Sequence, residues 1–164
     1  LGVVSLPTLD RVLVATHPDD GAAKVEVIGS SGEWPSEFTK DPGAVGDAPL
    51  RLAASRSHTP HWMQRFADAM GNAEMVRNGS VGFKVSQLLF GNADIYVHKI
   101  GLKEWDTCAP EAIARAAGFA VCRFSGKDHR YNQENARNDE LVVCRPWLKD
   151  RVLEVLQSVG ALED

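Results

Sequence analysis

The residues best suited to chemistry lie where a charged segment enters a predicted helix. Asp106 stands within residues 104–111 (EWDTCAPE), ahead of a stretch rich in helix formers that ends at Gly118. A carboxylate in this position can hold a cation, or it can cap the helix by accepting hydrogen bonds from unpaired backbone N–H groups. Pro110 fits the first turn of such a helix, where its missing N–H costs least. These residues alone leave both roles of Asp106 open.

A second candidate is Gly79-Ser80, directly before a helix predicted from Gly82 to about Phe90. Free N–H groups and the positive end of the helix dipole make such a point suitable for binding an anion. The alternative is an ordinary serine cap with a permissive glycine. Lys84, one turn into the helix, could reach a phosphate as a point charge, or it could be a solvated surface lysine.

Two histidines and a cysteine complete the candidates. His58 precedes a predicted helix and is either a substrate contact or a loop histidine, whereas His98 ends a predicted strand. An imidazole there suits a phosphate better than an inositol hydroxyl. Cys108 could be a nucleophile only beside a histidine base. The sequence contains three widely spaced cysteines, which match neither a zinc pattern nor a disulfide framework, so we expect buried, reduced thiols.

The first 28 residues predict a small antiparallel meander. Apolar or alternating runs at 1–6, 11–16 and 23–28 are typical of strands, and residues 17–21 (HPDDG) predict a turn. These three strands alone would leave sheet edges exposed. Residues 29–49, rich in Gly, Pro and Ser, predict a loop or linker.

Strands and helices alternate from residue 50 onward, which predicts an α/β fold. We expect strands near 50–54, 74–77, 93–98, 119–124 and 141–144, and helices near 59–70, 82–90, 106–117 and 146–159, with Trp147 facing inward and a polar loop over 125–139.

Composition limits the partners. The chain has 164 residues and a net charge of −4, so it has no general attraction to nucleic acid, and any phosphate site must be local. No apolar run approaches the ~18 residues of a membrane span, and no signal peptide is visible. We therefore expect a cytoplasmic protein that binds neither nucleic acid nor membrane. The sequence begins with Leu1 rather than Met, so residue 1 need not be the natural N-terminus.

Several sequence blocks, in order, resemble the magnesium-dependent inositol monophosphatase family. Trp-Asp-x-x-Ala at the helix start resembles its second signature, and residues 104–110 (EWDTCAP) look most like its 3'(2'),5'-bisphosphate nucleotidase branch. The other blocks are residues 55–58 (SRSH), 79–84 (GSVGFK), 91–96 (GNADIY) and 131–133 (YNQ). The resemblance covers almost the whole chain.

The resemblance implies a layered α-β-α sandwich of the sugar-phosphatase type. Residues 50–164 would be the C-terminal α/β domain, and residues 1–49 the last strands and linker of an incomplete N-terminal α+β domain. In the family, the other metal ligands and the water-activating residues come from an earlier Glu-Glu pair and an Asp-Pro-x-Asp-Gly-Thr signature. This chain has neither: residues 18–21 (PDDG) lack the leading Asp and the trailing Thr, and we interpret them as a turn.

The implied activity is Mg²⁺-dependent removal of the 3'-phosphate of adenosine 3',5'-bisphosphate or its sulfated precursor. Asp106 would be a metal ligand, and the chain would carry no further catalytic residue. The substrate side would comprise His58, Gly79, Ser80, Lys84, His98 and Asp106. The alternatives are an inositol or sugar phosphatase of the same family, and an inactive nucleotide-binding fragment. Expected partners are a phosphorylated small molecule, the missing N-terminal half and a second copy of the chain, and we expect the chain alone to be inactive.

Overall fold

A computed structural model describes residues 1–17, 22–29, 48–57, 59–99 and 101–161. The predicted turn and linker, and His58, fall largely or wholly outside these ranges. The described strands are β1 Gly2–Leu6, β2 Arg11–Thr16, β3 Lys24–Gly29, β4 Arg51–Ser55, β5 Glu74–Asn78, β6 Ile95–Lys99, β7 Ala120–Cys122 and β8 Glu140–Cys144. The described α-helices are α1 Trp62–Ala69, α2 Val81–Leu89, α3 Glu104–Ala116 and α4 Lys149–Ser158.

The first three strands form the predicted antiparallel meander in the order β1-β2-β3. Leu6, Leu13 and Ala15 are buried against helices, whereas Val3 and Ile28 remain 49% and 57% exposed. Because β2 lies between them, β1 and β3 are edge strands within the described residues.

The other five strands form a mixed sheet in the order β5-β4-β6-β8-β7. Strand β4 runs parallel to both β5 and β6, and β8 runs antiparallel to β6 and β7. Successive side chains enter two separate cores: Tyr96 and Val143 share one with α2 and α3, while Val97 and Val142 share the other with α1 and α4. This alternation is what a strand with helices on both faces requires, and it confirms the predicted α/β sandwich.

The small sheet packs directly on the two helices that cover one face of the large sheet. A Cβ on Gly2 would lie 2.9 Å from Ala112 Cβ, and a Cβ on Gly82 would lie 3.1 Å from Val4 Cγ1 and 3.9 Å from Pro110 Cγ. The layers are thus the small sheet, α2 with α3, the large sheet, and α1 with α4. The assignment of residues 1–49 to a separate, incomplete domain stays a prediction. No helix in the described part of the chain is long and apolar enough to cross a membrane.

Helix α3 differs from its prediction. It begins at Glu104, so Asp106 lies in the first turn instead of at the cap, and Pro110 lies in the helix interior. The earlier start is possible because the Asp106 carboxylate accepts a hydrogen bond from the Lys103 backbone N–H at 2.9 Å. Pro110 removes one backbone hydrogen bond, but its ring is buried close to Gly82.

Two expectations about burial were wrong. Cys108 is exposed, because it lies on the outer side of α3, while Cys122 and Cys144 are buried as expected. Trp147 is 37% exposed, because Pro146–Leu148 forms a separate 3₁₀ turn before α4 and the helical periodicity does not extend to it.

A buried ion cluster joins the amino end of β6 to its neighbours. The Asp94 carboxylate, on a residue only 1% exposed, accepts hydrogen bonds from Arg51 Nε at 3.2 Å, the Arg51 backbone N–H at 2.9 Å and Arg145 Nε at 2.9 Å. Each acceptor oxygen therefore has a cationic partner, which is the arrangement that makes a buried carboxylate tolerable.

Candidate functional site

The topology creates a crevice at one end of the large sheet. Strands β5 and β6 flank β4 on opposite sides, and α1 and α2 lie on opposite faces of the sheet. The strand order therefore reverses between the carboxyl ends of β4 and β6. Open α/β sheets bind ligands at such a switch point. A cavity of about 670 Å³ lies there, lined by Ser55 at the end of β4, by Ser57 just after it, and by Tyr96 and His98 of β6.

Ser80 caps α2 and orients its N-terminus. Its backbone is strained, with φ 50° and ψ 147°, and its Oγ accepts a hydrogen bond from the Phe83 N–H at 3.3 Å. A helix leaves its first N–H groups without intrahelical partners, here those of Val81 and Gly82. Ser80 is exposed, so this end of the helix is accessible to an anion.

A cation lies beside that helix start. The Arg56 guanidinium would be 3.2 Å from a Cβ on Gly79, and the Arg56 N–H donates to the Asn78 carbonyl at 3.3 Å. The parallel register that pairs Ser55 with Asn78 places the two segments side by side. Arg56 therefore adds positive charge where Gly79-Ser80 was predicted to bind an anion.

Lys84 is buried, contrary to the alternative of a solvated surface lysine. The residue is 4% exposed, and its Nζ lies 5.1 Å from the centroid of the Tyr96 ring. Burial lowers the pKa of Lys84. Among the described residues, Lys84 forms no ion pair with a carboxylate, and its ammonium group makes a cation–π contact with the Tyr96 ring.

Tyr96 lies between Lys84 and His98. Its hydroxyl lies 3.1 Å from His98 Nδ1. Burial and then the negative charge of Asp106 raise the pKa of Tyr96, which keeps its phenol protonated. The structure thus brings Lys84 and His98 into contact with one buried tyrosine, and the charge of Asp106 acts on its phenol.

Asp106 is partly exposed in the first turn of α3. Only one of its oxygens, Oδ2, makes the capping hydrogen bond to Lys103. Asp106 can therefore cap the helix through Oδ2 and bind a cation through its other oxygen at the same time.

The loop between β7 and β8 is fastened to the same turn of α3. The Glu104 carboxylate accepts hydrogen bonds from the N–H groups of Asn132 at 2.8 Å and Gln133 at 3.0 Å. Thr107 Oγ1 accepts hydrogen bonds from Tyr131 Oη at 3.2 Å and Asn138 Nδ2 at 3.0 Å. The residues that flank Asp106 are thereby held by the loop, which limits the orientations of the helix start.

Glu111 forms the buried centre of this attachment. It accepts hydrogen bonds from Arg115 Nε at 2.8 Å and Tyr131 Oη at 2.5 Å, and His129 Nδ1 lies 2.8 Å away. Burial alone would raise the pKa of Glu111, but the bonds to His129, Tyr131 and Arg115 lower it to about 2. Burial would lower the pKa of His129, yet its bonds to Glu111 and the Glu140 carbonyl raise it. Each partner therefore favours the charged form of the other.

The donor set fits a hard divalent cation only in part. Within the described residues, no group of three or more His, Cys, Asp and Glu side chains could hold a metal ion. Asp106 offers one carboxylate of the kind that Mg²⁺ prefers, but Mg²⁺ is usually held by more than one ligand of protein or substrate. The remaining ligands would have to come from outside the described residues.

Sequence reasoning named most of this site but missed several residues. His98 lines the crevice, Gly79, Ser80 and Lys84 lie at the start of α2, and Asp106 lies in the first turn of α3. His58 lies outside the described residues. Their roles stay predictions. Arg56, Tyr96 and Glu104 were missed, although each belongs to a sequence block that had been singled out.

Comparison with known proteins agrees with this architecture. The model of the inositol monophosphatase family matches residues 39–161. This chain belongs to the inositol monophosphatase family. A family relative, the 3'-phosphoadenosine 5'-phosphate phosphatase of Mycobacterium leprae, is 35% identical over 71% of this chain and 44% of its own length. The mouse 3'(2'),5'-bisphosphate nucleotidase 1 is 37% identical over 51% of this chain and 27% of its own. The chain thus spans less than half the length of these relatives.

Solved structures of the family share the fold. CysQ from Bacteroides thetaiotaomicron superposes with a TM-score of 0.62 at 28% identity, covering 87% of this chain and 56% of its own. The Thermotoga maritima IMPase superposes with a TM-score of 0.63 at 18% identity, covering 98% of this chain and 56% of its own. The second likeness, at its low identity, concerns the fold alone.

Proposed function

We propose that this chain forms the substrate-binding part of a phosphomonoesterase that removes the 3'-phosphate of adenosine 3',5'-bisphosphate or its sulfated precursor. The observation that carries the proposal is Lys84, a buried cation that pairs with no carboxylate among the described residues. Its Nζ lies against the ring of Tyr96, which lines the switch-point crevice. A buried charge without a partner is unfavourable unless a ligand completes its interactions. The names of the mycobacterial and mouse relatives support a bisphosphorylated nucleotide as that ligand.

The residues divide into two groups around the substrate. The N–H groups at the start of α2, with Arg56 and Lys84, supply positive charge for phosphate oxygens. Ser55, Ser57 and His98 line the crevice, where polar side chains suit the hydroxyls and base of a nucleoside. A bisphosphate carries two anionic groups, which accounts for more cationic groups than one phosphate requires.

Asp106 is the proposed ligand for Mg²⁺. When bound, such an ion neutralises phosphoryl charge and lowers the pKa of water. Asp106 is positioned for this by its bond to Lys103 and by the loop contacts of Glu104 and Thr107. We propose that the other ligands come from a segment corresponding to the rest of the relatives' length, so that the chain alone is inactive.

Asp106→Asn tests the metal role in the chain supplied with that N-terminal segment. Asn keeps an oxygen that can accept the Lys103 N–H, so the fold should persist, while the charge that attracts Mg²⁺ is lost. We expect phosphate release from adenosine 3',5'-bisphosphate to fall by at least about a hundredfold, with unchanged thermal unfolding. Unimpaired Mg²⁺-dependent release would contradict the metal role.

A same-family alternative is an inositol or sugar-phosphate phosphatase, in keeping with the family match. The two are separated by comparing kcat/KM for adenosine 3',5'-bisphosphate and inositol 1-phosphate in the same assay. The proposal predicts preference for the nucleotide, because a second phosphate engages the additional cations.

A further inference from the structure

A second cavity, of about 760 Å³, lies in the loop between β7 and β8. It shares no lining residue with the switch-point crevice. Four cationic side chains line it: Arg123, Lys127, Arg130 and Arg137. The whole chain has a net charge of −4, so this concentration of positive charge in one concave surface is local.

The acids near this cavity neutralise only part of its positive charge. Asp128 is the acidic residue that lines it, and its carboxylate lies 2.7 Å from Arg115 Nη2, a cation outside the lining. Arg123 pairs with Glu140 at 3.4 Å and Arg137 with Asp139 at 3.0 Å.

The two central cations have no such partners. Among the described residues, Lys127 and Arg130 form no ion pair, and both are exposed. Glu134, the remaining acid of this loop, does not line the cavity. The positive charges of Lys127 and Arg130 are therefore available to a ligand that enters the cavity.

The base of the cavity is built rigidly. His129 is buried between Glu111, 2.8 Å from Nδ1, and the Glu140 carbonyl, 2.6 Å from Nε2. Asn138, also a lining residue, donates to Thr107 Oγ1 at 3.0 Å. Since these contacts fix the loop, a ligand would meet a preformed surface and would not have to order it.

We propose that this cavity binds a small phosphate-bearing anion with at least two negative charges and up to the size of a mononucleotide, at a site separate from the crevice. The volume falls within the range of small-molecule pockets. Arginine guanidinium groups match phosphate oxygens in a two-pronged geometry, and a multiply charged ligand would engage several of the four cations at once.

The test is a titration of the ¹⁵N-labelled chain, followed by NMR without added metal and at constant ionic strength. Inorganic pyrophosphate, adenosine 5'-monophosphate and adenosine are the three probes. The two phosphate compounds should shift the amide signals of residues 123–138 in a saturable manner, and adenosine should not. Tighter binding of the nucleotide than of pyrophosphate would assign a role to the nucleoside as well.

A charge-removing variant locates the binding. Lys127→Gln with Arg130→Gln should raise the Kd for pyrophosphate at this loop at least about tenfold, because two charge-assisted contacts are lost. The matched control, Lys24→Gln with Arg151→Gln, removes two exposed charges elsewhere and should leave the Kd unchanged. The proposal is overturned by shifts confined to residues 79–84 and 96–98, by an absence of saturation, or by equal Kd values in both variants. Unperturbed signals for the core residues establish that each variant is folded.

Discussion

Asp94 and Lys84 are both buried charges close to strand β6, but they differ in their partners. Asp94, 1% exposed, accepts hydrogen bonds from Arg51 and Arg145. Lys84, 4% exposed, faces the Tyr96 ring and, among the described residues, pairs with no carboxylate. The charge of Asp94 is neutralised within the fold, whereas that of Lys84 has no opposite charge beside it among the described residues.

This difference indicates that Asp94 serves stability and that Lys84 serves ligand binding. Removing a partner from a compensated ion cluster leaves uncompensated buried charge and destabilises the fold. Removing an uncompensated buried charge relieves a desolvation penalty and should not harm stability. The comparison therefore predicts opposite effects on unfolding for two charge-removing substitutions at similar depth.

Asp94→Ala should have the largest effect. It leaves Arg51 and Arg145 without their shared carboxylate, so the free energy of unfolding should fall by about 3–5 kcal/mol. Denaturant titration of the chain measures it. Asp68→Ala is the matched control: Asp68 is exposed, and within the described part of the chain its side chain bonds only to Gln64, so it should change the value by less than about 0.5 kcal/mol. Equal effects at both positions would show that the Asp94 ion cluster does not stabilise the fold.

Glu111→Gln should have an intermediate effect that depends on pH. Its loss weakens bonds to Arg115, Tyr131 and His129, and we expect a decrease of roughly 2–3 kcal/mol near pH 6. The native pKa of Glu111 is lowered to about 2 from 4.5, so this stabilisation is lost as pH falls below 4.5. The pKa of His129 is raised from 6.5, so its contribution is present below pH 6.5 and is lost as pH rises through the higher native value.

The measurement for Glu111 is the difference in unfolding free energy between wild type and variant across pH 3–9. It should be largest between the two unfolded-state pKa values of 4.5 and 6.5. Asp150→Asn, an exposed acid in the first turn of α4, serves as a control with a small effect. A difference independent of pH would show that the His129–Glu111 pair does not carry the charge assigned to it.

Much of the fold was predictable, because hydrophobic periodicity reports burial directly. The meander, the alternation after residue 50 and the strand at Glu140–Cys144 all follow from that signal. The start of α3 was not predictable in this way. The Asp106 carboxylate accepts a hydrogen bond from the Lys103 N–H, and the helix therefore begins two residues earlier than predicted. Trp147 was misplaced because a 3₁₀ turn interrupts the helical period.

The residue types and motifs of the site were predictable from the sequence, but the contacts between them were not. Gly79-Ser80, Lys84 and Asp106 could be named from their local patterns, but the burial of Lys84 under Tyr96 depends on contacts between α2 and β6. Arg56 was missed because its position beside Gly79 follows from strand register and not from spacing. The Glu111 network was missed because its members are up to 20 residues apart.

The central claim is that Lys84 is kept charged and buried for a phosphorylated ligand. Lys84→Met, which keeps most of the apolar length, tests it by two measurements on the same protein: thermal unfolding, and calorimetric titration with adenosine 3',5'-bisphosphate in the presence of Mg²⁺. We expect stability to be unchanged or higher by roughly 1 kcal/mol, since burial already lowers the pKa of this lysine. We expect the Kd to rise at least about tenfold. Unchanged binding together with a loss of stability would contradict the claim and make Lys84 a structural residue.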